Sequence, residues 1–221
     1  MKGAIFDMDG TLIDSLTFWG PMWKRIGREY MGVADFLPDE AVDKEIRTMV
    51  YTDAMAHIHR HYRLSVGLRE FLTFATDALA DFYREVATVK PGAVDLLAHL
   101  RAAGVRLTLA SATDGALVRL ALSHHGLLPY FEAILSCSDI GVGKSRPDIY
   151  HLAARGMGLA PAEIAVFEDS CVALETAKRA GFETVGIYDR HNADQKRVAA
   201  ASDHYLGEGL SLSALIPALS L

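Results

Sequence analysis

The sequence of 221 residues has only two cysteines, Cys137 and Cys171, so a scaffold of disulfide bonds is excluded. Long apolar runs are also absent, and none approaches the roughly 20 residues that a membrane-spanning helix needs. Basic residues do not predominate, because 22 Lys and Arg stand against 28 Asp and Glu and give a net charge of −6. This balance argues against a nucleic-acid-binding surface. We therefore expect neither a nucleic-acid partner nor a membrane partner.

The N-terminal segment does not predict an export signal. Asp7 interrupts the first apolar stretch before the core of a signal peptide could form. Together with the low cysteine count, this predicts a reduced, cytoplasmic protein. The hydrophobic fraction of 51% excludes a disordered chain and is enough to build a substantial core.

Three apolar stretches predict buried parallel strands, and each of them ends in small or acidic residues. They are Gly3–Phe6, Val105–Ala110 and Ile164–Phe167, with weaker candidates at Ala133–Ser136, Thr184–Ile187 and His204–Leu206. Helical patterns alternate with these stretches from residue 91 onward. The alternation predicts an α/β fold, in which a doubly wound parallel sheet carries helices on both faces.

Residues 16–87 break this alternation, because they contain no convincing strand. Amphipathic helical patterns cover Phe18–Tyr30, Asp39–Val50, Thr52–Tyr62 and Gly67–Ala87. We therefore expect an all-helical cap domain at 16–87, inserted after the first strand of a core domain that comprises 1–15 and 88–221. The cap aromatic residues Phe18, Trp19, Trp23 and Tyr30 are spaced for burial, so packing inside the cap is their expected role, and a platform on which a sugar stacks is the alternative.

The sharpest motif, Asp7-Met8-Asp9-Gly10-Thr11, directly follows the first predicted strand. Ligands bind at the carboxyl ends of parallel strands, and residues two apart on an extended segment point the same way. Two neighbouring carboxylates repel each other unless a cation or a proton compensates, so Asp7 and Asp9 predict a metal site, and Mg²⁺ is the expected ion. Gly10 lets the chain turn away sharply. The alternative is an acidic loop that caps a helix.

Three further polar features lie at the same predicted edge of the sheet. Ser111 follows the second strand, where its hydroxyl and the backbone N–H groups of the next turn can hold phosphoryl oxygens. Lys144 lies in a glycine-rich loop and offers a positive charge, while Glu168 and Asp169 add a second carboxylate pair. Taken singly, each feature also fits a helix cap or an exposed loop. Together, they predict a site for metal-assisted phosphoryl transfer.

These motifs resemble those of the haloacid dehalogenase-like superfamily, in the branch of β-phosphoglucomutase-like and phosphoglycolate phosphatase-like proteins with a helical cap. The resemblance is carried by Asp7–Asp14, Leu109–Ala112, Gly143–Tyr150 and Glu168–Gly181. It implies a Rossmann-like core, with Asp7 as the nucleophile and Asp9 as the general acid and base. One departure is Ala173, where relatives commonly have glycine.

The resemblance also implies a metal site with Mg²⁺ as the cofactor, and a phosphate site. The implied metal ligands are Asp7, the main-chain carbonyl of Asp9, and Asp169, with Glu168 beside them. The implied phosphate ligands are Ser111, Ala112 and Lys144.

The leading hypothesis is a Mg²⁺-dependent phosphatase that hydrolyses a small phosphorylated metabolite, such as a sugar phosphate, through an aspartyl-phosphate. One alternative is a phosphosugar mutase, although the cap lacks the Gly-Val-Ser-Arg-like segment of such mutases and has Ile46–Tyr51 in that region. The other alternative is a catalytically silent binding protein on the same fold. We expect a monomer or a weak homodimer.

Overall fold

The structure is a computed structural model that describes residues 1–47, 49–192 and 194–219. Among these residues, six parallel strands form the main sheet, in the order β5-β4-β1-β6-β7-β8, and two short antiparallel strands form a second sheet. The strands are β1 (Gly3–Phe6), β2 (Ile13–Asp14), β3 (Thr88–Val89), β4 (Arg106–Ser111), β5 (Ala133–Ser136), β6 (Ile164–Glu168), β7 (Glu183–Ile187) and β8 (His204–Leu206). The predicted α/β fold with a doubly wound parallel sheet is confirmed.

Helices precede or follow almost every strand of the main sheet, and four of them are inserted between β2 and β3. The α-helices are α1 (Trp19–Ile26), α2 (Glu40–Ile46), α3 (Tyr51–His61), α4 (Leu68–Glu85), α5 (Ala93–Ala102), α6 (Gly115–His124), α7 (Cys137–Ile140), α8 (Asp148–Met157), α9 (Cys171–Arg179) and α10 (Gln195–Ala201). A π-helical turn, Gly27–Met31, continues α1, and short 3₁₀ helices cover Leu16–Phe18, Leu128–Tyr130, Pro161–Glu163 and Leu212–Ala218.

The central strand β1 is buried along its whole length, which explains why its sequence is apolar without alternation. Its residues still alternate between the two faces of the sheet. Phe6 stacks on Phe167 of β6, with ring centroids 4.1 Å apart, within the core that the sheet shares with the cap. Ile5 faces the opposite layer, where it packs with Val166 and with residues of α8. Both faces of the sheet are therefore closed to water.

The helical cap lies between β2 and β3, which pair antiparallel at its base through Ile13 with Val89 and Asp14 with Thr88. Strands of two residues carry no readable period, so the sequence did not predict this pair. The pair lies next to both predicted domain boundaries, at 15/16 and 87/88, and the boundaries themselves stay a prediction.

Element ends differ from the sequence expectations in a few places. The predicted helix over 39–50 ends at Ile46, and Thr48 lies outside the described residues. The predicted core domain likewise includes Ala193, Ser220 and Leu221, which are not described. Helices α7 and α10 were not predicted, because their four and seven residues are too short for a clear helical period.

None of the helices among the described residues is long and apolar enough to cross a membrane. The cytoplasmic location and the monomeric or weakly dimeric state stay predictions.

Candidate active site

The register of the three central strands brings the predicted site residues to one edge of the sheet. Phe6 of β1 lies beside Leu109 of β4 and Phe167 of β6. The next residues along the chain, Asp7 and Glu168, therefore emerge side by side at the carboxyl ends of their strands, where parallel sheets bind ligands. Ser111, the last residue of β4, reaches the same edge.

Lys144 joins this edge from the loop before α8. Its Nζ donates a hydrogen bond to Oδ1 of Asp7 and lies 3.3 Å from Oε1 of Glu168. Burial by itself would lower the pKa of Lys144, but the carboxylates of Asp7 and Glu168 outweigh burial and raise that pKa well above its usual value. A fully charged ammonium group is therefore held against the Asp7 carboxylate.

Three buried carboxylates form a compact cluster in the described part of the chain. One oxygen from each of Asp7, Glu168 and Asp169 lies within 4.8 Å of the others. Burial raises the pKa of Asp169 to about 7, with a further contribution from the charge of Asp7, and it raises the pKa of Glu168 well above its usual value. Lys144 alone does not compensate three negative charges. The cluster therefore fits a cation with hard oxygen ligands, such as Mg²⁺.

Two polar side chains hold Asp169 in this cluster. The Thr11 hydroxyl lies 3.3 Å from Oδ1 of Asp169, and the Asn192 side-chain amide donates to the backbone carbonyl of Asp169 at 2.6 Å. Gly10 completes the packing, since a Cβ atom there would lie 2.6 Å from Oδ2 of Asp169 and the backbone has a φ of +78°. The turn predicted at Gly10 is present, and it also leaves room for the Asp169 carboxylate.

The carboxylate of Asp9 has a different set of partners from that of Asp7. Its Oδ1 accepts hydrogen bonds from the hydroxyls of Ser15 and Tyr83, both at 2.7 Å, and its Oδ2 accepts one from Thr113 at 2.9 Å. Burial, followed by the nearby charge of Asp7, raises the pKa of Asp9, although the three hydroxyl groups oppose this shift. Asp9 is thus a carboxyl group that retains a proton more readily than an exposed aspartate.

The residues that follow β4 form a turn at the same edge. The Ser111 hydroxyl accepts a hydrogen bond from the backbone N–H of Thr113 at 3.0 Å, and Ser136 donates to the Thr113 carbonyl at 2.7 Å. The Ala112 carbonyl accepts from the backbone N–H of Tyr51 at 3.3 Å, which joins this turn to the cap. The turn therefore connects the sheet edge with the cap.

A cavity of about 320 Å³ lies between the sheet edge and the cap, a volume typical of sites for small molecules. We call its lining residues outside 16–87 the core wall and those within 16–87 the cap wall. The core wall contains every predicted site residue: Asp7, Asp9, Ser111, Ala112, Lys144, Glu168 and Asp169. The structure thus brings the whole predicted set to one cavity, although Asp7 and Asp9 have separate partners inside it.

Comparison with known sequences agrees with this arrangement, because the sequence model for haloacid dehalogenase-like hydrolases matches residues 1–181. The chain belongs to the haloacid dehalogenase-like hydrolases. Its matched region includes all four motifs and the whole cap.

Several relatives of this hydrolase are named phosphatases. Hexitol phosphatase A of Escherichia coli is 32% identical over 199 residues, which cover 84% of this chain and 82% of that protein. The validoxylamine A 7'-phosphate phosphatase of Streptomyces hygroscopicus is 29% identical, over 87% of this chain and 88% of that protein. Among solved structures, CbbY of Rhodobacter sphaeroides in complex with xylulose-(1,5)bisphosphate has the same fold, with a TM-score of 0.82, 23% identity and full coverage of both chains.

Sequence reasoning missed the polar residues that surround Asp9 and Asp169 in this hydrolase. Ser15 follows Asp9 by six positions and gives a local signal, namely a hydroxyl inside the acidic loop. Tyr83 and Thr113 are separated from Asp9 by 74 and 104 positions, so no local pattern connects them to it. Asn192 lies in a loop with no motif of its own. Only the packing of the cap and the sheet edge reveals these contacts.

Proposed function

We propose that this hydrolase is a Mg²⁺-dependent phosphatase that hydrolyses monoesters of small phosphorylated metabolites through an aspartyl-phosphate on Asp7. The observation that carries the proposal is that Asp7 and Asp9, only two positions apart, have different hydrogen-bond and charge partners. Asp7 contacts an ammonium group and other carboxylates, whereas Asp9 contacts only hydroxyl groups among the side chains described. Two carboxylates in such different surroundings are suited to two different roles.

Asp7 is proposed as the nucleophile. One of its carboxylate oxygens attacks phosphorus, and the bond to the ester oxygen of the substrate breaks. Lys144 offsets negative charge on the phosphoryl oxygens from one side, while the Ser111 hydroxyl and the turn at Ala112 orient them from the other. The ammonium group of Lys144 is already in place beside Asp7, so little rearrangement is needed to stabilise the developing charge.

The metal would be held by Asp7, Asp169 and the main-chain carbonyl of Asp9, with Glu168 in contact with the same cluster. When bound, Mg²⁺ neutralises the carboxylates and withdraws charge from the phosphoryl oxygens. This role agrees with the raised pKa values of Asp169 and Glu168, because burial first and the charge of Asp7 second disfavour their ionised forms, and a bound cation would offset both effects.

Asp9 is proposed as the general acid and base. Its raised pKa favours a proton on the carboxyl group, which Asp9 donates to the leaving oxygen as that bond breaks. The resulting carboxylate then removes a proton from the water that attacks the aspartyl-phosphate. Ser15, Tyr83 and Thr113 restrict the orientation of the carboxyl group throughout both steps.

A small phosphorylated metabolite is the substrate class that the relatives support. Hexitol phosphatase A and the validoxylamine A 7'-phosphate phosphatase are named for phosphate esters of polyhydroxylated compounds. A phosphate ester of similar size is compatible with the cavity volume of about 320 Å³.

The test is a screen of phosphate monoesters with Mg²⁺ and with EDTA, combined with quenched-flow labelling. We expect Mg²⁺-dependent release of phosphate and, during turnover of a ³²P-labelled ester, a hydroxylamine-sensitive label on the protein. The variant Asp7→Asn should fold but lose both the label and turnover. Substantial activity in that variant would contradict the nucleophile assignment. Formation of an isomeric sugar phosphate would indicate a mutase. If no ester is turned over, a binding protein is favoured.

A further inference from the structure

The cap wall differs in chemistry from the core wall that faces it. In the described part of the chain, its surface is formed mainly by aliphatic and aromatic side chains, among them Phe18, Trp19, Ile46 and Leu79. Its charged residues, Asp43, Lys44 and Arg47, all lie in α2 or directly after it. A leaving group directed toward the aromatic residues of this half therefore meets few polar groups.

Both tyrosine hydroxyl groups of the cap wall already donate hydrogen bonds within the protein. The Tyr51 hydroxyl donates to the Ala75 carbonyl at 2.7 Å, and the Tyr83 hydroxyl donates to Asp9. Near the end of α2, Asp43 and Arg47 form a two-contact ion pair, with Nε to Oδ2 at 2.6 Å and Nη2 to Oδ1 at 3.3 Å. Lys44 lies beside this pair, so the charged hydrogen-bonding groups of the wall are confined to this end of it. Against the aromatic and aliphatic side chains, an open-chain polyol would have to lose water from its hydroxyl groups without gaining matching hydrogen bonds.

Trp19 offers this half of the cavity a rigid aromatic surface. Its ring stacks on Trp23, with centroids 5.2 Å apart and planes at 23°, and it contacts Phe18 edge-on at 5.4 Å. All three rings line the cavity, but Trp23 and Phe18 are buried, whereas Trp19 is only partly buried. The sequence expectation of packing inside the cap thus describes Trp23 and Phe18, and Trp19 differs from it because part of its surface stays exposed.

We propose that the cap wall selects a leaving group with a flat, predominantly apolar ring face, which stacks on Trp19, over an open-chain polyol. The proposal rests on the proposed function, because it assumes that the core wall holds a phosphoryl group. Stacking on an indole ring and release of water from both surfaces favour such a ring, and the neighbouring aromatic residues fix Trp19 before the ligand arrives.

A binding measurement tests the proposal without turnover. Non-hydrolysable phosphonates are titrated into the Mg²⁺-loaded protein by calorimetry: benzylphosphonate, methylphosphonate, and the phosphonate analogue of an open-chain hexitol phosphate. We expect benzylphosphonate to bind about tenfold more tightly than either of the others. Equal or tighter binding of the hexitol analogue would overturn the proposal.

Three variants assign the preference to the aromatic surface. Trp19→Ala should remove the tenfold preference while leaving methylphosphonate binding within about twofold, and Trp19→Phe should keep most of it. Phe74→Ala is the matched control, because Phe74 is a partly buried cap aromatic that packs with Tyr30 and Arg25 away from the cavity. The proposal is wrong if Trp19→Phe loses the preference as fully as Trp19→Ala, or if Phe74→Ala loses it as well.

Kinetics then separate this proposal from the proposed function. Benzyl phosphate and hexitol 6-phosphate are both esters of primary alcohols, so their intrinsic reactivities are similar and a difference in kcat/KM reflects the cap wall. Ring preference in turnover supports both proposals. Hydrolysis of both esters without a ring preference contradicts only the inference about Trp19, whereas selective binding of benzylphosphonate without hydrolysis of any ester contradicts only the phosphatase proposal.

Discussion

The two walls of the cavity are built in opposite ways. The charged groups of the core wall lie mainly at the ends of β1 and β6. Hydrogen bonds between neighbouring strands fix the positions of these groups. The cap wall is built by helices whose apolar side chains pack on one another, and its charged residues, Asp43, Lys44 and Arg47, are confined to α2 and the residue after it. Changes in the core wall should therefore act mainly on kcat, and changes in the cap wall should act mainly on KM.

One hydrogen bond joins the cap wall to the core wall. Tyr83 belongs to cap helix α4, yet its hydroxyl donates to the carboxyl group of Asp9 in the core wall. Burial and the adjacent charge of Asp9 raise the pKa of Tyr83 well above its usual value, so the phenol remains a donor at neutral pH. The position of the cap therefore affects the group proposed as the acid and base.

The largest effect that tests the core wall is expected from Asp9→Asn. This variant keeps the size of the side chain but removes the proton donor, so kcat for alkyl phosphates should fall by about 10³. With nitrophenyl phosphate, whose leaving group needs no proton, stopped-flow absorbance should still show a rapid burst of about one nitrophenolate per enzyme before slow turnover. An equal loss of the burst would contradict the role of Asp9 as the acid.

A smaller effect is expected from Lys144→Met, which removes the ammonium group beside Asp7 but keeps most of the side-chain volume. We expect kcat/KM to fall by about 10², since a buried charge that stabilises the phosphoryl oxygens is lost. The thermal midpoint without Mg²⁺ should also fall, because Asp7 and Glu168 lose the ammonium group that contacts them, and Mg²⁺ should restore part of it. An unchanged midpoint in EDTA would show that the cluster is not electrostatically strained.

The contact between the walls is tested by Tyr83→Phe, which removes one hydroxyl from the cap. We expect kcat to fall by about three- to tenfold with little change in KM, because Asp9 loses one of three hydrogen bonds that orient it. Tyr51→Phe is the matched control, since its buried hydroxyl is bonded to a backbone carbonyl and not to Asp9. A similar loss of kcat in both variants would assign the effect to cap stability and not to Asp9.

The smallest effect is expected from Ala173→Gly, at the position where similar sequences commonly have glycine. The Ala173 methyl group is buried in the first turn of α9, close to the cluster. The variant should lower the free energy of unfolding by about 1 kcal/mol through helix propensity, and kcat should change by less than about twofold. Ala177→Gly in the same helix serves as the comparison, and urea unfolding with steady-state kinetics measures both. A large gain in kcat for Ala173→Gly alone would mean that the methyl group distorts the site.

The fold could be predicted because its strongest signals are local. Gly3–Phe6 and Ile164–Phe167 are short apolar runs in a chain whose strand and helix patterns alternate, and such runs are typical of buried parallel strands. The structure has strands at both places. Short elements such as β2 and β3 could not be predicted, because two residues carry no period. The end of α2 at Ile46 also differed from the expectation, since helix ends depend on local contacts that a periodic pattern does not contain.

The candidate site was predictable where strand ends define it. Asp7, Ser111 and Glu168 follow or end apolar strands, and parallel strands carry such residues to a common edge. The same reasoning did not reveal that Asp7 and Asp9 have separate partners, because a spacing of two predicts only that both side chains point the same way. It also did not reveal that Trp19 stays partly exposed in the cavity while Trp23 is buried, since both lie on the same apolar face of α1.

The sequence by itself determined which chemical groups meet at the sheet edge, namely carboxylates, a hydroxyl group and one lysine, because the position of each relative to a strand or loop is local. Tertiary structure alone decided how these groups are paired. Lys144 contacts Asp7, while Tyr83 and Thr113 contact Asp9, through distances along the chain of 74 to 137 positions. Such pairs form only when the cap and the loops pack against the sheet, and that packing depends on the whole set of buried side chains and on no single motif.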